Sequence, residues 1–194
     1  MSGIETKYIL KTFGGMIVAI LAAFPLFKNK LSTGFRSDRI EAWLHPLENA
    51  STTAYQTTQG LYAIGSGGLF GAGLGKSKQK YLYIPEAHND FIFAIIAEEL
   101  GFLGCIFVII LFTIFTIRGV SISMHAKDMF GSLVAIGITA LVSSQAILNI
   151  AVVTNTIPNT GISLPFLSYG GSSLVILLSC VGILLNISKS KKKL

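Results

Sequence analysis

From Met129 to Ser188 the chain carries no Asp, Glu, Lys or Arg, a run of about sixty residues. A water-facing surface cannot be built from such a segment, whereas a helix crossing ~30 Å of hydrocarbon at ~1.5 Å per residue needs about twenty apolar residues. The run is long enough to cross twice. Asn155, Pro158, Asn159, Thr160 and Gly161 mark a turn between a third span over 129–153 and a fourth over 164–187, with Pro165 suited to a helix start. Two earlier stretches meet the same criterion. One covers 8–27, is bounded by Lys28 and Lys30, and lacks a small-residue cleavage site, so it reads as a span rather than a leader. The other covers 91–117 and carries Glu98 and Glu99 near its start.

The expected fold is therefore an all-α polytopic bundle, a single membrane domain over 1–194. It has about four transmembrane helices and a long outer loop, 28–90, containing short helices. Composition agrees: 52% of residues are hydrophobic and 12% charged, where a soluble domain has about a quarter charged. The net charge of +6 does not point to nucleic acid, because Arg118, Lys189, Lys191, Lys192 and Lys193 flank apolar segments. Lys7, Lys11, Arg118, Lys127 and the Lys-rich tail share one side of a four-span chain. Both termini are then expected in the cytoplasm, with the loop and the 154–163 turn outside. Cys105 and Cys180 lie inside apolar runs and read as packing residues.

Polar chemistry collects in the outer loop. Residues 35–46 mix charge with Trp43, as suits a segment at the membrane interface, and 55–64 is weakly amphipathic. The glycine-dense run 65–75 permits tight turns and close backbone approach. It lacks the Walker pattern and a preceding strand, so a phosphate cradle is poorly supported. Lys76, Lys78 and Lys80 alternate after it, either as a solvated basic stretch or as a holder of pyrophosphate or anionic head groups.

Carboxylates follow at the lip of the second span. Asp90 directly precedes that helix and can serve as its N-cap. With His88 two residues away and Glu86 nearby, it is also placed to take a proton from a substrate whose lipid tail lies in the bilayer, and the two roles are compatible. Glu98 and Glu99 lie about 12 Å deeper. An intramembrane carboxylate costs ~2.5 kcal/mol or more, so each should face a cavity or a cation on a neighbouring helix. On a regular helix Glu98 is displaced by about 80° from Asp90 and Glu99 by about 180°, which makes Glu98 the better candidate for a shared cavity.

Three blocks carry a family resemblance: AIGSGGLFGAGLGKSKQK over 63–80, YIPEAHNDFIFAIIAEELGFLG over 83–104, and TGISLPFLSYGGSSL over 160–174. With the 36–46 segment and the closing GILLNIS they cover nearly the whole chain in order. The chain resembles the SEDS proteins (shape, elongation, division and sporulation), which include FtsW, RodA and SpoVE. Within 83–104 the likeness leans to FtsW and SpoVE. Asn155 and Thr156 stand where the family usually has Gly and an aliphatic residue, Asn159 where Val is common, and Ser163 where Pro is common.

The resemblance implies a peptidoglycan glycosyltransferase that polymerises lipid II at the outer face of the bacterial plasma membrane and releases undecaprenyl pyrophosphate. Such proteins work with a class B penicillin-binding transpeptidase in the divisome or elongasome. Asp90 matches the family's proposed catalytic Asp. The expected substrate-contacting residues are Arg36, Arg39, Lys76, Lys80, Glu86, His88, Glu98 and Ser168. Leaving-group charge would be neutralised by Arg and Lys such as Arg36, Lys76 and Lys80, or by a divalent cation such as Mg or Mn. Family members have about ten spans, so a chain matching the last four is expected to be a carboxyl-terminal half that is inactive alone. A lipid-linked-precursor flippase and a non-catalytic scaffold for a transpeptidase are the competing expectations.

Overall fold

The structure, a computed structural model, describes residues 35–48, 54–79 and 89–189. The expected span over 8–27 lies outside these residues, as do Lys80, Glu86 and His88, and the side chain of Arg36 is also outside the description. Among the described residues there are five helices and no strand: α1 (Phe35–Leu44), α2 (Tyr55–Gly67), α3 (Ile92–Met124), α4 (Met129–Val153) and α5 (Gly171–Lys189). The short α1 and α2 precede the three long helices in the chain. Helices α3, α4 and α5 are long and apolar enough to cross a membrane.

Two helix bounds depart from the expected spans. Helix α3 continues past 117 to Met124. Arg118, the charge that set the expected end, lies exposed, and its long stem can carry the guanidinium to the polar lip of a bilayer. Helix α5 begins at Gly171 rather than at 164. Phe166 adopts a φ of 63°, and Ser168 closes a local turn. Its Oγ accepts the Leu164 N–H at 2.7 Å and its own N–H donates to Leu164 O at 3.0 Å. This turn buries Leu164 and Pro165 instead of starting a helix. Helix α4 occupies 129–153 as the charge-free stretch predicts, with Asp128 as N-cap accepting the Gly131 N–H at 2.9 Å.

In lipid, helices associate through close packing and interhelical hydrogen bonds rather than through hydrophobic burial. Helices α3 and α4 form a hairpin on those terms. At Gly119 a Cβ would run into the Thr139 side chain, so glycine sets the approach distance. Thr116 Oγ1 and Ser143 Oγ lie 2.7 Å apart, and Ser123 and Ser132 exchange hydroxyl-to-carbonyl bonds at 3.0 and 2.8 Å near the turn. At the opposite end the core gathers Ala63 of α2, Phe91, Ala94 and Val108 of the α3 region, Ala146 and Val153 of α4, and Leu164.

Helix α3 is broken at Gly101, where φ is 69° and ψ −166°. A break at membrane depth strands backbone groups that have no water to turn to. The glycine run supplies them. Ala72 N donates to Glu98 O at 2.9 Å and Gly73 N to Glu99 O at 3.0 Å, while Phe102 N and Leu103 N donate to Gly68 O and Leu69 O at 2.9 and 3.3 Å. A Cβ at Gly71 would collide with Glu99 O, and one at Gly101 with Gly71 N. The close backbone approach read from the glycines is thus made to another backbone, and the run seals a helix break.

Candidate active site at the amino-terminal end of helix α3

Asp90 precedes α3, but the N-cap position falls on Phe91, which has no polar side chain to offer. Asp90 is half-buried, one residue before the N-cap, and its backbone is held from elsewhere. Asn149, fully buried on α4, donates from Nδ2 to Asp90 O at 2.8 Å and to Ile162 O at 2.7 Å. One amide therefore ties the approach to α3 to the 154–163 turn. The carboxylate itself faces that turn: a Cβ at Gly161 would lie 3.3 Å from Asp90 Oδ2.

The 154–163 turn is also where α1 docks. Asn155 O accepts from Trp43 Nε1 at 2.9 Å and Asn155 Nδ2 donates to Trp43 O at 3.2 Å, a two-way clasp. Asn159 O accepts from Arg39 Nη1 at 3.0 Å, while Asn159 Oδ1 accepts the Gly161 N–H at 3.1 Å. Asn159 Nδ2 reaches Gln56 Oε1 of α2 at 3.4 Å. A guanidinium, a carboxylate and a hydrogen-bonded turn thus share one end of the bundle. This arrangement can hold a sugar or phosphate and remove a proton from a hydroxyl.

Glu98 is nearly fully buried, and its carboxylate is occupied by the loop that follows the glycine run. Ser77 Oγ donates to Oε2, Lys78 N donates to Oε1 at 2.9 Å, and Gln79 N reaches Oε2 at 3.4 Å. The buried charge is met by one hydroxyl and two backbone amides, which hold the basic segment against α3.

The cell cycle protein family model FTSW_RODA_SPOVE matches residues 1–193. The chain belongs to this family. It is 52% identical over 159 residues to stage V sporulation protein E of Bacillus subtilis (strain 168), covering 82% of this chain and 43% of the relative. It is 49% identical over 190 residues to the probable peptidoglycan glycosyltransferase FtsW of the same organism, covering 96% of this chain and 47% of the relative. The corresponding Geobacter metallireducens FtsW is 43% identical over 191 residues, covering 98% and 49%. The chain thus spans about half the length of these relatives. A chain in a solved structure, reported for the coordination of polymerization and crosslinking by a peptidoglycan synthase complex, shares the fold. That match has a TM-score of 0.68 at 21% identity and covers 97% of this chain and 50% of that one.

In this FtsW, RodA and SpoVE family member the expected site residues separate into groups. Arg39 and Asp90 meet the same 154–163 turn. Lys76 is exposed on the loop that Glu98 holds. Ser168 is engaged in its own turn with Leu164. Lys80, Glu86, His88 and the Arg36 side chain lie outside the described residues. Among the described residues no three His, Cys, Asp or Glu side chains gather as a metal-ligating group. Sequence reasoning passed over Asn149 and Ser77 as site residues. Asn149 carried a usable signal, since it is one of two amides, with Gln145, inside a charge-free span, and such a group must find polar partners.

Proposed function

We propose that this chain supplies the outer-face catalytic part of a peptidoglycan glycosyltransferase that polymerises lipid II, with Asp90 as general base. Relatives at 43–52% identity carry the names FtsW, a probable peptidoglycan glycosyltransferase, and stage V sporulation protein E, which supports this class of reaction. The observation that carries the reading is the anchoring of Asp90 by Asn149 onto the turn that also receives Arg39. Asp90 takes the proton from the acceptor sugar's 4-hydroxyl as that oxygen bonds to the donor's anomeric carbon, and the bond to undecaprenyl pyrophosphate breaks. An α-linked donor yielding a β-1,4 product inverts in one displacement. A base is required and a covalent enzyme intermediate is not. Departing negative charge is met by basic residues of the outer face, with Arg39 and Lys76 in the described part and Arg36 and Lys80 beside them in sequence. Both termini lie in the cytoplasm, the site opens outward, and a class B transpeptidase crosslinks the product.

The test joins this chain behind the amino-terminal half of the Bacillus subtilis FtsW relative and supplies labelled lipid II. Glycan strands from the wild-type chain and none from Asp90→Ala are expected. Equal product from both removes Asp90 from the reaction. Lipid II crossing the bilayer without polymerisation favours a flippase, and undiminished transpeptidase recruitment with no product from either protein favours a scaffold.

A further inference from the structure

At the end of the bundle far from Asp90, a cavity of about 440 Å³ opens between the last turns of α3 and α5. Its α3 wall presents Phe115, Arg118, Ile122 and His125, which recur at helical spacing along one face, and its α5 wall presents Leu184, Leu185 and Ser188 in the same manner. The volume falls in the range of ligand pockets, roughly 300–1,000 Å³. Its chemistry divides along the helix axes. Phe115 and Leu184 lie toward the bilayer interior, whereas Arg118, Ser121, His125 and Ser188 lie toward the helix ends.

Arg118 has no hydrogen-bond or ion-pair partner among the described residues, and no Asp or Glu lines the cavity. His125 donates from Nδ1 to Ser121 O at 2.8 Å, which leaves Nε2 as the ring atom available to a ligand. Beyond its break at Gly101, helix α3 continues for 23 residues from Phe102 to Met124, about 35 Å at ~1.5 Å per residue, which carries its end past ~30 Å of hydrocarbon. Arg118 sits about 9 Å before the α3 terminus, at headgroup level. An unpaired planar cation there, above an apolar floor, matches a molecule with a phosphodiester head and acyl tails.

We propose that this cavity binds the headgroup of an anionic phospholipid, with Arg118 gripping the phosphate and the Phe115 and Leu184 region receiving the first part of an acyl chain. The site does not depend on the glycosyltransferase reading. Lys127 and Lys189 would attract any anionic surface, so the distinguishing property is a contact made inside the cavity.

The test is native mass spectrometry of the detergent-purified 194-residue chain titrated with phosphatidylglycerol or phosphatidylcholine, with circular dichroism confirming helix content. Phosphatidylglycerol adducts are expected at concentrations about tenfold below those for phosphatidylcholine. Arg118→Gln should remove that difference. Ser188→Leu, which fills the cavity and leaves every charge in place, should do the same, and Lys127→Gln should change it less than about twofold. Equal binding of the two lipids overturns the proposal, as does equal loss in Lys127→Gln and Arg118→Gln, or full retention in Ser188→Leu. Competition by glycerol 3-phosphate at the lipid's own concentration would assign the site to a soluble phosphate instead.

Discussion

Asn149 holds Asp90 by its backbone and leaves the carboxylate to face the 154–163 turn: Nδ2 donates at 2.8 Å to Asp90 O, and the same nitrogen donates at 2.7 Å to Ile162 O. Asn149→Ala strips two buried carbonyls of their donor, a loss of about 1–3 kcal/mol for each group left unsatisfied. The thermal unfolding midpoint is expected to fall. In the lipid II assay turnover should fall more than apparent lipid II affinity, because the base is displaced while the basic contacts remain. Asn149→Asp keeps the shape and replaces the donor by an acceptor, so it should be worse than Asn149→Ala on both readouts. An Asn149→Ala protein with unchanged turnover would show that the amide does not position Asp90.

Glu98 is expected to act on the loop rather than on substrate. Glu98→Gln puts an NH₂ where the Ser77 hydroxyl and the Lys78 and Gln79 amides need an acceptor, weakening charge-assisted bonds by about 1.5–3 kcal/mol. Ser77→Ala removes one donor and should weaken the contact by about 1 kcal/mol. Limited trypsin digestion of reconstituted protein reports the difference. Cleavage at Lys76 and Lys78 should accelerate in the order wild type, Ser77→Ala, Glu98→Gln, and identical digestion of all three would remove Glu98 from this role.

These two residues show what a sequence can and cannot disclose. The angular argument brought Glu98 forward because a buried carboxylate must be compensated. Its compensating groups are a hydroxyl and two backbone amides about twenty residues earlier, and backbone amides leave no compositional trace. Likewise, the bounds of α4 follow from uncharged length and from Asp128, whereas the late start of α5 depends on a left-handed Phe166, a conformation that phenylalanine does not advertise. The glycine run was legible as a place of close approach, but its counterpart, the break at Gly101, was concealed inside an apolar span.

That break supports a third prediction. Gly101→Ala forces a Cβ into Gly71 and Leu69, at a φ of 69° and ψ of −166° that only glycine adopts readily and that costs another residue about 1–3 kcal/mol before any clash. Helix α3 should straighten or the glycine run should leave it. Hydrogen exchange at the Ala72, Gly73, Phe102 and Leu103 amides, all paired across the break, is expected to accelerate together. Acceleration confined to one of the four would show that the two strands of the seal are not coupled.

The clasp between Trp43 and Asn155 can be read directly, because Trp43 is the sole tryptophan in the chain. Asn155 has a φ of 56°, and SEDS relatives were expected to carry Gly there. Both residues tolerate the left-handed region, but only Asn adds an amide that reaches Trp43 O. Asn155→Gly should keep the backbone and the bond from Trp43 Nε1 to O of residue 155, losing one hydrogen bond worth about 0.5–1.5 kcal/mol. Asn155→Ala loses the same bond and adds about 1–2 kcal/mol of left-handed strain. Trp43 emission is therefore expected to shift slightly to the red in Asn155→Gly and further in Asn155→Ala, as α1 loosens and water reaches the indole. Because Arg39 on the same helix contacts Asn159, phosphate or lipid II binding at the 154–163 turn should weaken in that same order. If emission shifts while binding stays constant, Arg39 does not contribute to the site through the docking of α1.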